Sequence, residues 1–421
     1  MKKLLTSFAV AVTTAGIAHS QGLYNIQPYD DAALEPLPLQ WTAGVTFGYD
    51  DNPAPTGSDL PGADSDGSAV VSAFVQANYA SVEAQTTWDA WARVGGSFFF
   101  REISGDVVDG DSTSDFFYDL GAGFNVLHRF SERLRLRSRT NVAYQVEPDF
   151  GNNIGSDIRV GNFFRYSSDN SIGYSWTERF ATVTGHRIHG VFFDGDVSSS
   201  DFVNNLFYNQ FRYRLSPATV LTSSLRYSTQ SNDVGRDSDS YFVTVGAEHR
   251  FSPNTTGVVR VGAQFFDGEN SSTAPFVEAT LSTRTSEQFS FRSFVRYGIE
   301  DRGSGITFTD DGVNFITGIY DERTTLRIGT QATYTLSPYI SLFGGVNVVL
   351  INFDDLLNPG GPLAPPSDFD EEIFNFNIGA SYRISSNVFA NASYNFTNAS
   401  SDGLSREFSR NRFNLGVTTT F

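Results

Sequence analysis

The chain has 421 residues, a formal net charge of −18 and no cysteine, and 14% of its residues are aromatic, with 39 Phe and 18 Tyr against a single Met. The acidic balance argues against a nucleic-acid binder, and the missing cysteines exclude both a disulfide framework and a thiolate metal site. A chain of this length would ordinarily divide into about two or three globular domains, yet no composition shift or linker breaks it after the first 40 residues.

The chain opens with Lys2 and Lys3, an apolar run from Leu4 to Ile17, and Ala18-His19-Ser20 before Gln21. This is the pattern of a cleaved secretory signal peptide over residues 1–20. Every basic residue beyond it is arginine. Residues 21–40, with Pro28, Pro36 and Pro38, read as a periplasmic lead-in. No later stretch approaches the ~18 consecutive apolar residues of a transmembrane helix. An exported chain of this kind is either soluble beyond the inner membrane or a β-barrel in an outer membrane.

From Trp41 onward the hydrophobic period is two. Phe289, Phe291, Val295 and Tyr297 alternate with Ser290, Arg292, Phe294 and Arg296, and Leu326, Ile328 and Ala332 alternate with Arg327, Gly329 and Gln331. Such runs predict strands at 41–50, 68–80, 87–101, 115–129, 133–147, 158–177, 180–193, 201–215 and 218–230. Further runs predict strands at 239–251, 255–267, 273–284, 288–300, 321–336, 339–353, 371–384, 387–398 and 406–421. They exceed the ~5–6 residues of ordinary globular strands.

The connections alternate between two kinds. Short turns read FSER (130–133), WTER (176–179), LSPA (215–218), FSPN (251–254), TSEQ (285–288), LSPY (336–339) and ISSN (384–387). Long acidic loops include 50–68, 104–115, 193–201, 231–240 and 353–372. Short turns on one rim and long loops on the other predict an all-β, transmembrane, antiparallel up-and-down barrel of 16–18 strands over residues 41–421. The expected location is the cell outer membrane. The last strand ends on an apolar row, Phe413, Leu415, Val417 and Phe421, which resembles the signal that barrel-assembly machinery reads on its clients.

WTAGVTFGYDDNP (41–53) opens the barrel and SREFSRNRFNLGVTTTF (405–421) closes it. In these stretches the chain resembles the β-barrel porin 2 group of Gram-negative outer-membrane proteins, whose members are often associated with exopolysaccharide production. The resemblance implies a pore or a polysaccharide-linked barrel, without catalytic residues.

The candidate functional residues are arginines opposite the apolar stripe: Arg133, Arg135, Arg137, Arg139, Arg212, Arg214, Arg226, Arg260, Arg292, Arg296, Arg327, Arg410 and Arg412. A basic side chain facing lipid at mid-depth costs about 2–4 kcal/mol, so these should face the lumen. There they would favour anions or acidic sugars, or merely pair with acids such as Asp119, Glu248 and Glu278. Strand-end aromatics such as Tyr144, Tyr213, Tyr297 and Tyr394 read as membrane-interface girdles, and Tyr208, Phe266 and Phe294 as inward rings.

The acidic stretches 63–68 and 105–112 lack the full pattern of a calcium loop. His186 and His189 lie on opposite faces of one strand. A Ser-His-Asn or Ser-His-Asp lipid hydrolase would use His128 or His249 as base, but no motif marks a nucleophile. Neither an enzyme nor a cofactor or metal is expected. The expected function is passage of small solutes or export of a polysaccharide, or else a non-conducting surface barrel whose loops serve adhesion. Partners would be outer-membrane lipid, the assembly machinery and a polysaccharide.

Overall fold

The computed structural model describes residues 39–53, 67–105, 112–145, 163–193, 201–233, 237–300, 305–309, 315–356, 367–402 and 407–421. The expected signal peptide, nearly all of the lead-in and most of both acidic calcium candidates lie outside these residues.

The first strands are β1 (Leu39–Asp50), β2 (Ser68–Val82), β3 (Thr86–Gly105), β4 (Ser112–Arg129), β5 (Leu134–Gln145) and β6 (Phe163–Ser175). Next come β7 (Phe180–Phe193), β8 (Phe202–Ser216), β9 (Thr219–Asn232), β10 (Ser238–Ser252), β11 (Thr255–Asp267), β12 (Ser271–Arg284) and β13 (Phe289–Ile299). The last are β14 (Gly305–Thr309), β15 (Phe315–Thr335), β16 (Ile340–Leu356), β17 (Phe369–Arg383), β18 (Val388–Ser401) and β19 (Phe408–Thr420). They form one antiparallel sheet of 19 strands. β1 pairs with β19 from Thr42 opposite Thr420 to Asp50 opposite Arg412, and this closes the barrel.

β13 pairs with the stretch of β15 beyond Thr324, and β14 with its first residues, 315–319. The two therefore occupy one place in the wall, so the 19 strands fill 18 places around it. The expected strand at 321–336 is in fact β15, six residues longer at its start, and β14 lies between the expected strands at 288–300 and 321–336.

Alternation sets the two faces. On β1, Trp41, Val45, Phe47 and Tyr49 are exposed on the outside, while Asp50, on the opposite face, is fully buried. The register carries this parity from strand to strand: Phe47 lies opposite Leu415, and Tyr49 opposite Phe413. An apolar outside lets the barrel face hydrocarbon, and closure leaves no strand edge in it. Strands of 12 to 15 residues such as β1 and β2 exceed the ~9–11 needed to cross a bilayer.

The short turns share one local device. Each carries Ser or Thr as its second residue, and the side-chain oxygen accepts backbone N–H bonds across the turn, mimicking a tighter turn. Ser131 accepts from Leu134 at 3.0 Å, Thr177 from Phe180 at 3.0 Å, Ser286 from Phe289 at 3.0 Å and Ser337 from Ile340 at 3.1 Å. Towards the loop end the inner wall is apolar, where Phe353 and Phe369 stack 4.3 Å apart beside Tyr320, Ile351 and Ile373.

Candidate channel lining

The register places a zigzag of charges on the inner face of β8 to β12. Arg212 pairs with Glu248 at 2.6 Å, and Glu248 lies 3.7 Å from Arg260. Arg260 reaches Glu278 at 3.1 Å, and Glu278 lies 3.9 Å from Arg226. Further round the wall, Glu300 takes Arg327 at 2.9 Å and Arg323 at 3.5 Å. At the seam, Asp50 takes Arg410 at 2.5 Å and Arg412 at 3.1 Å. Each of these four carboxylates is shared by two guanidinium groups. The arrangement keeps buried charge paired, as it must be, and among these described pairs guanidinium groups outnumber carboxylates, seven to four.

Arg292 and Arg296 add to that surplus. Among the described residues, neither makes an ion pair within 4.0 Å. Two guanidinium nitrogens of Arg292 are buried without a hydrogen-bond partner. Arg296 is exposed on the inner face, opposite Glu278 on one side and Arg327 on the other.

On β5, Arg135, Arg137 and Arg139 share the inward parity of Asp169, which lies opposite Arg139. Asp169 pairs with Arg187 at 2.8 Å and accepts the Tyr208 hydroxyl at 2.9 Å. Arg133 is a correction. It lies in the exposed turn before β5, outside the wall, because the strand begins one residue later at Leu134. Arg214 is on the inward parity but exposed at the turn end of β8.

The inner wall beyond β15 differs in kind. The inner faces of β16, β17 and β18 carry Asn347, Asn375, Asn377, Asn391 and Asn395, and Asn375 donates to Thr397 at 2.8 Å. A stretch rich in amides and hydroxyls therefore adjoins the arginine-rich one.

Several members of the network were not singled out in the sequence. Arg93, which pairs with Asp119 at 2.7 Å, stands in the alternating stretch Ala92-Arg93-Val94 and carried the same signal as the chosen arginines. Arg187 and Arg323 are similar cases. Asp50 read as the start of a loop, yet it is the last inward residue of β1.

The histidines occupy separate places. His128 and His249 sit on the outside near the turns, each bonded to a threonine, Thr86 and Thr219, at 2.8 Å. His186 faces outward, whereas His189, on the opposite parity, stacks on Phe202 at 5.6 Å between ring centres.

A family model described as an outer membrane protein beta-barrel domain matches residues 256–421. The closed barrel and its apolar outer belt, together with this match, place the chain in an outer membrane. Among solved structures, OccAB4 of Acinetobacter baumannii is similar at 12% identity and a TM-score of 0.45, covering 91% of this chain and 98% of that one. The outer membrane protein OpdK of Pseudomonas aeruginosa is similar at 11% identity and a TM-score of 0.46, covering 91% and 99%. The siderophore receptor PirA of Pseudomonas aeruginosa is similar at 9% identity and a TM-score of 0.41, covering 91% and 80%. Likenesses this distant single out no cargo. No curated protein matches the chain.

Proposed function

We propose that the barrel is a passive channel for small solutes with a preference for anions. The observation that carries this reading is the sharing of each buried carboxylate in the arginine network by two arginines, with Arg292 and Arg296 left over. Rings and stripes of fixed positive charge lower the energy of an anion in a pore and raise that of a cation. Sugar stacking on the inner rings has little support. The Tyr208 hydroxyl is engaged by Asp169, and Phe266 is only 2% exposed. A small anion therefore suits the inner face better than a polysaccharide does.

The test is conduction by the refolded chain, residues 21–421, in planar bilayers across a potassium chloride gradient. A reversal potential on the chloride side supports the proposal, and one on the potassium side overturns it. A heat-modifiable barrel that never conducts would instead favour the surface-barrel reading suggested by the acidic loops.

A further inference from the structure

The outer wall is uneven. Along most of it the residues between the aromatic ends are apolar, as on β10 and β11, where Val243, Val245, Val259 and Val261 are exposed. The outer face of β5 to β8 breaks this rule at mid-height. Asn170 donates to Ser168 at 2.9 Å and accepts from Ser138 at 2.5 Å, and Thr140 meets Ser168 at 2.9 Å. On the neighbouring strands, His186 meets Asn205 at 3.1 Å and Asn209 donates to Thr184 at 2.8 Å.

These groups lie within the membrane, not at its edge. Along β6, Tyr174 lies below them towards the turns and Tyr166 above them towards the loops, both on the outward parity. On β7 the outward aromatics that bracket them are Phe180 and Phe192, one outward position further out at each end. Eight residues separate Tyr166 from Tyr174, about 26 Å along the strand and about 20 Å along the membrane normal at the 35–45° tilt of such strands, which falls inside their ~25 Å apolar band.

Polar side chains at this depth require partners, because hydrocarbon offers none. The internal bonds satisfy them only in part. Asn170 retains one amide hydrogen beyond its two bonds. The patch carries no formal charge. Its amides and hydroxyls both donate and accept, so it is complementary to itself. Exposed apolar side chains flank it, with Ile172 at 52% and Phe207 at 49% exposure. Copies of one barrel enter the membrane with the same polarity, so a symmetry axis along the membrane normal brings equal heights together.

We propose that the outer face of β5–β8 is the surface through which two copies of this chain associate within the membrane. This is independent of whether the barrel conducts. A catalytic use of the same patch is less well supported. His186 stacks on Phe207, with ring centres 4.5 Å apart, and among the described residues no serine hydroxyl hydrogen-bonds its ring.

The test exploits the absence of cysteine. The full chain is expressed in a Gram-negative outer membrane as Asn170→Cys or, on the apolar wall, Val261→Cys, and treated in the membrane with a bis-maleimide. The expected result is a cross-linked species of two or more copies that is at least fivefold stronger for Asn170→Cys. In parallel, the combined variant Ser168→Val, Asn170→Leu and His186→Leu should remain heat-modifiable while the detergent-extracted assembly falls to monomer size. Equal or absent cross-linking from the two cysteines, with the wild-type chain extracted as a monomer, would overturn the proposal. So would cross-linking of Asn170→Cys only to a different protein.

Discussion

Asp50 has 0% of its side chain exposed and lies between Arg410 and Arg412. The next two residues complete a latch across the seam. Asp51 accepts both the backbone and the side-chain N–H of Asn411 at 2.6 Å, and Asn52 donates to the Ser409 carbonyl at 2.9 Å. The stretch Tyr49-Asp50-Asp51-Asn52 thus joins the first strand to the last, across 360 residues of sequence. Removing one partner of a buried pair costs about 3–5 kcal/mol, because the other charge stays buried. Asp50→Ala should therefore lower the stability of the folded barrel by about 3 kcal/mol, read as an earlier urea midpoint by Trp fluorescence. Adding Arg410→Ala to it should cost less than Arg410→Ala does alone, since the two residues act as one unit. An unchanged midpoint for Asp50→Ala would contradict the latch.

At the scale of elements, the seam also explains the final residue. Trp41 and Phe421 exchange two backbone hydrogen bonds, at 2.8 and 2.9 Å, beyond the end of β19. Deleting Phe421 removes this pairing and the exposed ring that ends the outer apolar row. The expected outcome is a several-fold drop in heat-modifiable barrel recovered from the outer membrane, with total synthesis unchanged. Equal recovery would refute it. The outer belt makes a second demand. Val261→Arg on the outer face of β11 should cost about 2–4 kcal/mol of folding stability.

Strand positions were legible because period two and a Ser or Thr at the second turn residue are both local signals. The runs around Phe180–Phe193 and Thr255–Asp267 could be bounded from composition alone. What crosses the barrel was not legible. Asp50 and Arg410 meet because of the register in which the first and last strands pair, and a single sequence marks the closure but not that register. The outer polar patch escaped notice because Ser, Thr and Asn suit either face of a strand, and only the register shows that Asn170 and His186 face outward. β14 was read as loop because Gly305–Thr309 is only five residues long.

Over the whole molecule, a strongly acidic chain encloses a wall rich in arginine. The net charge of −18 resides largely in the acidic loops, while the described inner face of β8–β15 carries more guanidinium than carboxylate. Next to it round the wall, the inner face of β16–β18 is rich in asparagine amides. A solute passing such a wall meets a lateral field, strongest where Arg292 and Arg296 lack an ion pair. Removing that surplus should change selectivity at little cost to folding, because Arg296 is exposed and makes no ion pair within 4.0 Å among the described residues, and a neutral replacement adds no carboxylate beside Glu278 and Glu300, which its charge reaches from further off. The most direct measurement is the reversal potential of Arg296→Gln against the unmodified chain in the same potassium chloride gradient. The account predicts a shift towards potassium at similar conductance. An unmoved reversal potential, with conduction intact, would contradict the claim that these arginines set the preference of the channel.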